Sequence, residues 1–116
     1  ARERPKAAVI LKRLAKLDDS GKTDLKYARV LFDMEQWSEA SLAFRQSLKE
    51  LEGKQRGLAA LFAGLSEFYL GRYQQAEPLL EQASRYNQVK AQADYWLDYI
   101  ARVTDNNEEQ ESEDVG

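Results

Sequence analysis

Ala63-Gly64-x6-Gly71-x-Tyr73-x2-Ala76-x3-Leu80-x2-Ala83 sets small residues at fixed offsets through two helical patterns joined by a glycine turn. Thirty-six residues earlier the chain carries a weaker copy, Tyr27-Ala28-x6-Glu35-x-Trp37-x2-Ala40-x3-Phe44-x2-Ser47. A repeat of this length, made of paired helices, marks stacked helical hairpins. Such a unit buries its apolar face only against its neighbours, so it builds binding surfaces more readily than active sites. The pattern predicts an all-α chain of about six helices, arranged as antiparallel hairpins.

Working outward, Ala7, Ile10, Leu11, Leu14 and Leu17 recur at helical spacing behind Pro5, a residue suited to a first turn. Asp18-Asp19-Ser20-Gly21 ends this helix and offers capping groups to the next. A second helix is expected over Thr23 to Met34 and a third over Glu39 to Leu51, with Ser38 as its N-cap and Glu35-Gln36-Trp37 as the turn. Gly53 breaks the pattern. The fourth helix, Gln55 to Leu70, is apolar on every side through Leu58–Leu65 and must be surrounded. The fifth is expected over Gln74 to Tyr86 with Pro78 in or near its first turn, and the sixth over Lys90 to Val103. No stretch sustains period-two alternation, so no sheet is predicted.

With Gly71 numbered as position 15 of a unit, Gly64 falls at 8, Tyr73 at 17, Ala76 at 20, Leu80 at 24 and Ala83 at 27. Residues 57–90 thus resemble a tetratricopeptide repeat, and residues 21–56 resemble a second, weaker one. The first unit departs from the family pattern at Glu35, which replaces glycine, and at Ser47, which replaces alanine. Both units lack the proline of position 32, where Glu52 and Gln88 stand. Residues 5–17 resemble the second helix of a preceding unit, and residues 90–103 resemble a capping helix or the first helix of an unfinished one. The resemblance implies a short right-handed superhelix, free-standing or at the C-terminal end of a longer solenoid. Proteins of this class occur in the cytoplasm and in the bacterial envelope alike.

Composition narrows the chemistry. The 116 residues allow one domain with a modest core. There is no Cys and no His, which excludes disulfides, thiol chemistry, Cys or His zinc sites and histidine acid–base catalysis. No apolar run approaches the ~20 residues of a membrane span, so no insertion is expected, and no signal-peptide pattern is visible. The chain opens on Ala1, as a processed or excised chain would, or one that has lost only its initiator Met. The net charge of −3 conceals an asymmetry. Residues 1–29 hold nine Lys/Arg against four Asp/Glu, whereas residues 104–116 hold six Asp/Glu and no base. The tail reads as a disordered acidic segment, either solubilising or folding back on the basic face.

Ser20-Gly21-Lys22-Thr23 resembles the end of a phosphate-binding loop, but Lys16 stands where its first glycine belongs and no strand precedes it. Asp18-Asp19 and Glu108-Glu109 lack an enclosing pocket, and Ser38, Ser41 and Ser47 lack a base. The expectation is therefore a non-enzymatic protein with no cofactor and no metal. The tetratricopeptide resemblance implies that the first helix of each unit lines a concave groove. Carried onto this sequence, the groove takes Lys22, Leu25, Arg29, Phe32 and Asp33, with Lys26 beside them, from one unit and Leu58, Leu61, Leu65, Phe68 and Tyr69 from the next. Tyr95, Trp96 and Tyr99 would form the far wall, unless the last helix packs into the groove and turns Leu61, Leu65 and Tyr69 into core. The expected partner is a peptide or protein segment with apolar anchors and a carboxylate. The chaperone-tail ligand of the family is not expected, since Leu61, Phe62 and Leu65 occupy its polar positions. Nucleic acid is not expected either, because the basic excess is modest and the tail would repel it. A homo-oligomer stacked through exposed aromatics remains a further expectation.

Overall fold

Six stretches of helical periodicity become six helices in the structure, a computed structural model that describes the backbone of residues 3–115 and the side chains of residues 3–105. They are α1 (Glu3–Ala15), α2 (Lys22–Asp33), α3 (Trp37–Leu48), α4 (Gly53–Tyr69), α5 (Tyr73–Ala83) and α6 (Lys90–Val115). No strand occurs among the described residues. Each helix packs chiefly on the helices before and after it in the chain. The result is elongated, with extents of 57 × 32 × 19 Å and a radius of gyration of 16.0 Å, against ~13 Å for a compact domain of similar length.

Small residues sit where the helices cross. Ala28, Ala40, Ala76 and Ala83 are fully buried. Gly64 lies so close to α5 that a Cβ there would stand 2.7 Å from Leu80 Cγ. Ser47 occupies the alanine place of the first copy and is buried too, its hydroxyl donating to the Phe44 carbonyl at 2.7 Å. That local bond satisfies the one polar atom the substitution brings into the core. α4 is enclosed on several sides, burying Ala59, Ala60, Leu61, Ala63, Gly64 and Leu65.

The two turns share one geometry. Gly71 has φ 77° and Glu35, its counterpart, has φ 59°. In each case the next amide reaches back five residues, Gln36 N to Leu31 O and Arg72 N to Glu67 O, both at 2.9 Å. This left-handed closure satisfies carbonyls at a helix end, and it favours glycine because a Cβ crowds the backbone there. Glu35→Gly is therefore expected to raise stability by about 1 kcal/mol, measured by urea denaturation. Unchanged or reduced stability would show that the Glu35 side chain has contacts outweighing its backbone cost.

Several boundaries differ from the sequence expectation. α3 begins at Trp37, with Gln36 in the capping position and no side-chain cap, so Ser38 is already inside the helix. α5 begins at Tyr73, which makes Pro78 an interior residue on an exposed face. α2 is capped from outside. Asp18 Oδ2 accepts the Thr23 hydroxyl at 2.6 Å and the Thr23 amide at 3.2 Å, and Ser20 Oγ accepts the Lys22 amide at 3.2 Å. The Thr23 hydroxyl, followed by the Ser20 amide, holds the Asp18 carboxyl well below the usual carboxylate range.

α6 also runs past its expected end at Val103, with its backbone helical to Val115. No glycine or proline interrupts the chain between Val103 and Gly116, and extending an existing helix costs far less than starting one. A fold-back of the acidic side chains on the basic face lies outside the described residues.

Candidate functional site

The predicted partner-binding residues divide into an exposed set and a buried one. On α2, Lys22, Lys26, Arg29 and Asp33 follow one another at i, i+4, i+7 and i+11 and are all exposed. The opposite side of that helix buries Ala28 and Leu31. Leu25 is core. On α4, Leu58 is half-buried, whereas Leu61 and Leu65 belong to the hydrophobic core. These two leucines are therefore corrected from ligand-facing to structural, because neighbouring helices already cover them.

The aromatic residues form a continuous band. Phe32 meets Trp37 edge-on at 4.9 Å, and their counterparts Phe68 and Tyr73 pair at 5.5 Å. Tyr69 stacks on Trp37 at 4.6 Å and touches Phe68 at 5.5 Å. Phe68 then meets Trp96 at 5.0 Å and Tyr99 at 5.6 Å, and Trp96 meets Tyr95 at 5.2 Å. Phe32, Phe68 and Trp96 are half-buried, while Tyr69, Tyr95 and Tyr99 keep 47%, 58% and 38% of their surface exposed. The band thus runs from the core onto the surface across α2, α4 and α6. Each exposed tyrosine is held by a ring beneath or beside it, and ordered amphipathic rings of this kind make effective anchors.

Two residues beside this band were not legible in the sequence. Trp37 occupies a position whose pattern role is to fill the helix crossing, yet it carries the stack under Tyr69. Glu67 lies one turn inside α4 and is buried, with Oε1 accepting the Ser41 hydroxyl at 2.6 Å. The Arg45 and Arg72 guanidinium groups approach its carboxylate at 3.9 and 3.7 Å. This carboxylate ties α3 of one hairpin to the end of α4 in the next. No spacing rule marks it, because its partners, Ser41 and Arg45 on α3 and Arg72 in the turn after α4, meet it only in the fold.

Clefts lie elsewhere. One of about 540 Å³ is lined by Lys12 of α1, Lys16 just beyond it, Asp24 and Tyr27 of α2, and Glu39 and Leu42 of α3. A second, of about 320 Å³, shares Lys12, Tyr27 and Glu39 with it. A third, of about 430 Å³, sits at the α4–α5 turn beside Thr104. Within the first cleft, burial and then the charges of Asp18 and Glu50 push the Asp24 carboxyl up. Burial, followed by Glu39, raises the Tyr27 phenol. None of the predicted partner-binding residues lines these three clefts.

Among the described residues no helix is long and apolar enough to cross a membrane, and no group of carboxylates is arranged to hold a metal ion. No family model matches the chain, and neither a curated protein nor a solved structure matches it.

Proposed function

We propose that this chain is a non-enzymatic interaction module of the tetratricopeptide type, a short right-handed stack that holds a peptide or protein segment across α2, α4 and α6. The observation that carries the reading is the surfacing aromatic band, with Tyr69, Tyr95 and Tyr99 exposed and braced by other rings. The repeated turn and the small-residue crossings support the repeat assignment. Lys22, Lys26 and Arg29 form a cationic row on the neighbouring helix. A segment with apolar or aromatic anchors and a carboxylate suits both features.

The test is capture from native lysate with the intact chain and with a Lys26→Glu, Tyr69→Ala variant, followed by titration of the captured partner. Loss of an anchor ring and reversal of a rim charge should weaken binding by at least about tenfold. Far-ultraviolet circular dichroism of the variant must match the parent. A partner held equally by both proteins would remove this surface from consideration.

A further inference from the structure

A second surface lies at the two ends of the stack, away from the cationic row of α2. α1 packs on α2 through Ala8, with Ala7, Leu11 and Ala15 partly covered. Its opposite face carries Ile10 and Leu14, exposed to 58% and 48%, and the turn that follows adds Leu17, exposed to 83%. Lys6 and Arg13 flank that stripe and are exposed. Large aliphatic side chains lined up along a helix and into the turn that follows it are costly to leave in water.

α6 presents the complementary face at the other end. It packs on α5 and buries Ala93 and Ile100. Opposite them lie Ala91, Tyr95, Asp98 and Arg102, flanked by Asp94 and Asp105, all exposed. Residues 3–17 hold five Lys/Arg against one Glu, whereas the α6 face just described holds three Asp against one Arg, with Asp94 paired to Lys90 at 2.8 Å and Asp98 to Arg102 at 3.2 Å. Two α1 faces, or two α6 faces, would bring like charges together. An α1 face on an α6 face brings opposite charges together and covers the aliphatic stripe with Tyr95 and Ala91.

We propose that α1 of one copy docks on α6 of a second copy, so that the chain self-associates head to tail. The contact is heterologous, leaving a free α1 at one end and a free α6 at the other, and it therefore propagates unless the rotation closes. Because charge steers the pairing, raised salt weakens it as the screening length falls from ~8 Å at physiological ionic strength to ~3 Å at 1 M.

Sedimentation velocity of the intact chain across the micromolar range tests the proposal. The average mass should rise with concentration and fall back at high salt. Leu14→Glu, which spoils the α1 face, and the double change Asp94→Lys with Asp98→Lys, which spoils the α6 face, should each raise the dissociation constant at least about tenfold. All of these positions are exposed, so the variants retain the parent's helical circular dichroism and melting midpoint. Mixing the two variants is the decisive arm, since each keeps one good face. The mixture should form a one-to-one dimer and nothing larger. A wild type that stays monomeric, a mixture that stays monomeric, or a dimer unaffected by either variant would overturn the head-to-tail contact. None of the substituted residues belongs to the proposed partner-binding set, but the contact covers Tyr95, which does, so the capture experiment is run at concentrations where the chain is monomeric and the two outcomes are separable.

Discussion

Phe44→Ala is expected to remove about 3–5 kcal/mol of folding stability. Phe44 is fully buried, its ring stacked on Phe62 at 5.6 Å and edge-on to Phe32 at 6.2 Å. It therefore stands where α3 meets both α2 of its own hairpin and α4 of the next. Truncation loses the transfer free energy of the ring and leaves a cavity that three helices cannot easily close. For a chain of this length the melting midpoint should fall on the order of 10–20 °C. Leu42→Ala, on the same helix but half-exposed, serves as the control and should stay within about 0.5 kcal/mol of the parent. Urea denaturation of the two variants checks the pair. Similar losses in both would show that Phe44 does not join the hairpins as described.

The second large effect is a coupling. Helix propensity alone predicts that Gly64→Ala gains about 1 kcal/mol, since glycine is a poor interior residue. The crossing predicts the opposite sign. A Cβ at residue 64 would lie 2.7 and 2.8 Å from Leu80 Cγ and Cδ2, and 3.3 Å from the Leu80 amide nitrogen. Leu80 is fully buried and has no room to retreat, so overpacking of about 1–3 kcal/mol outweighs the propensity gain. Leu80→Ala by itself should cost about 2–5 kcal/mol through the void it opens. In the double variant the new methyl at 64 enters part of the space vacated at 80. The combined loss should fall short of the sum by at least about 1 kcal/mol. Strict additivity in a double-mutant cycle would mean that α4 and α5 do not touch at this point.

Both predictions draw on residues whose role was visible before any coordinate. Gly64, Ala76 and Ala83 were legible because close helix approach demands small side chains at set offsets, and a repeated pattern exposes those offsets. Glu35 was legible only as a departure. Its left-handed backbone shows that the turn keeps its geometry and forces the residue to comply. Ser38 was misjudged because capping preference is a weak local signal, overridden once packing starts α3 at Trp37. α6 runs on past the boundary that apolar periodicity set at Val103, with no glycine or proline to interrupt it before Gly116.

Sequence by itself determined the helical class, the two hairpins and their crossings, since periodicity and small-residue spacing are properties of a single stretch of chain. Only the tertiary structure decided which apolar residues remain outside. Leu61 and Leu65 are core, Tyr69 and Tyr95 are surface, and Glu67 is a buried carboxylate between hairpins. The reason is that exposure depends on what arrives from distant residues: Trp37 beneath Tyr69, Ser41 against Glu67, and, among the described residues, nothing that covers Ile10, Leu14 and Leu17.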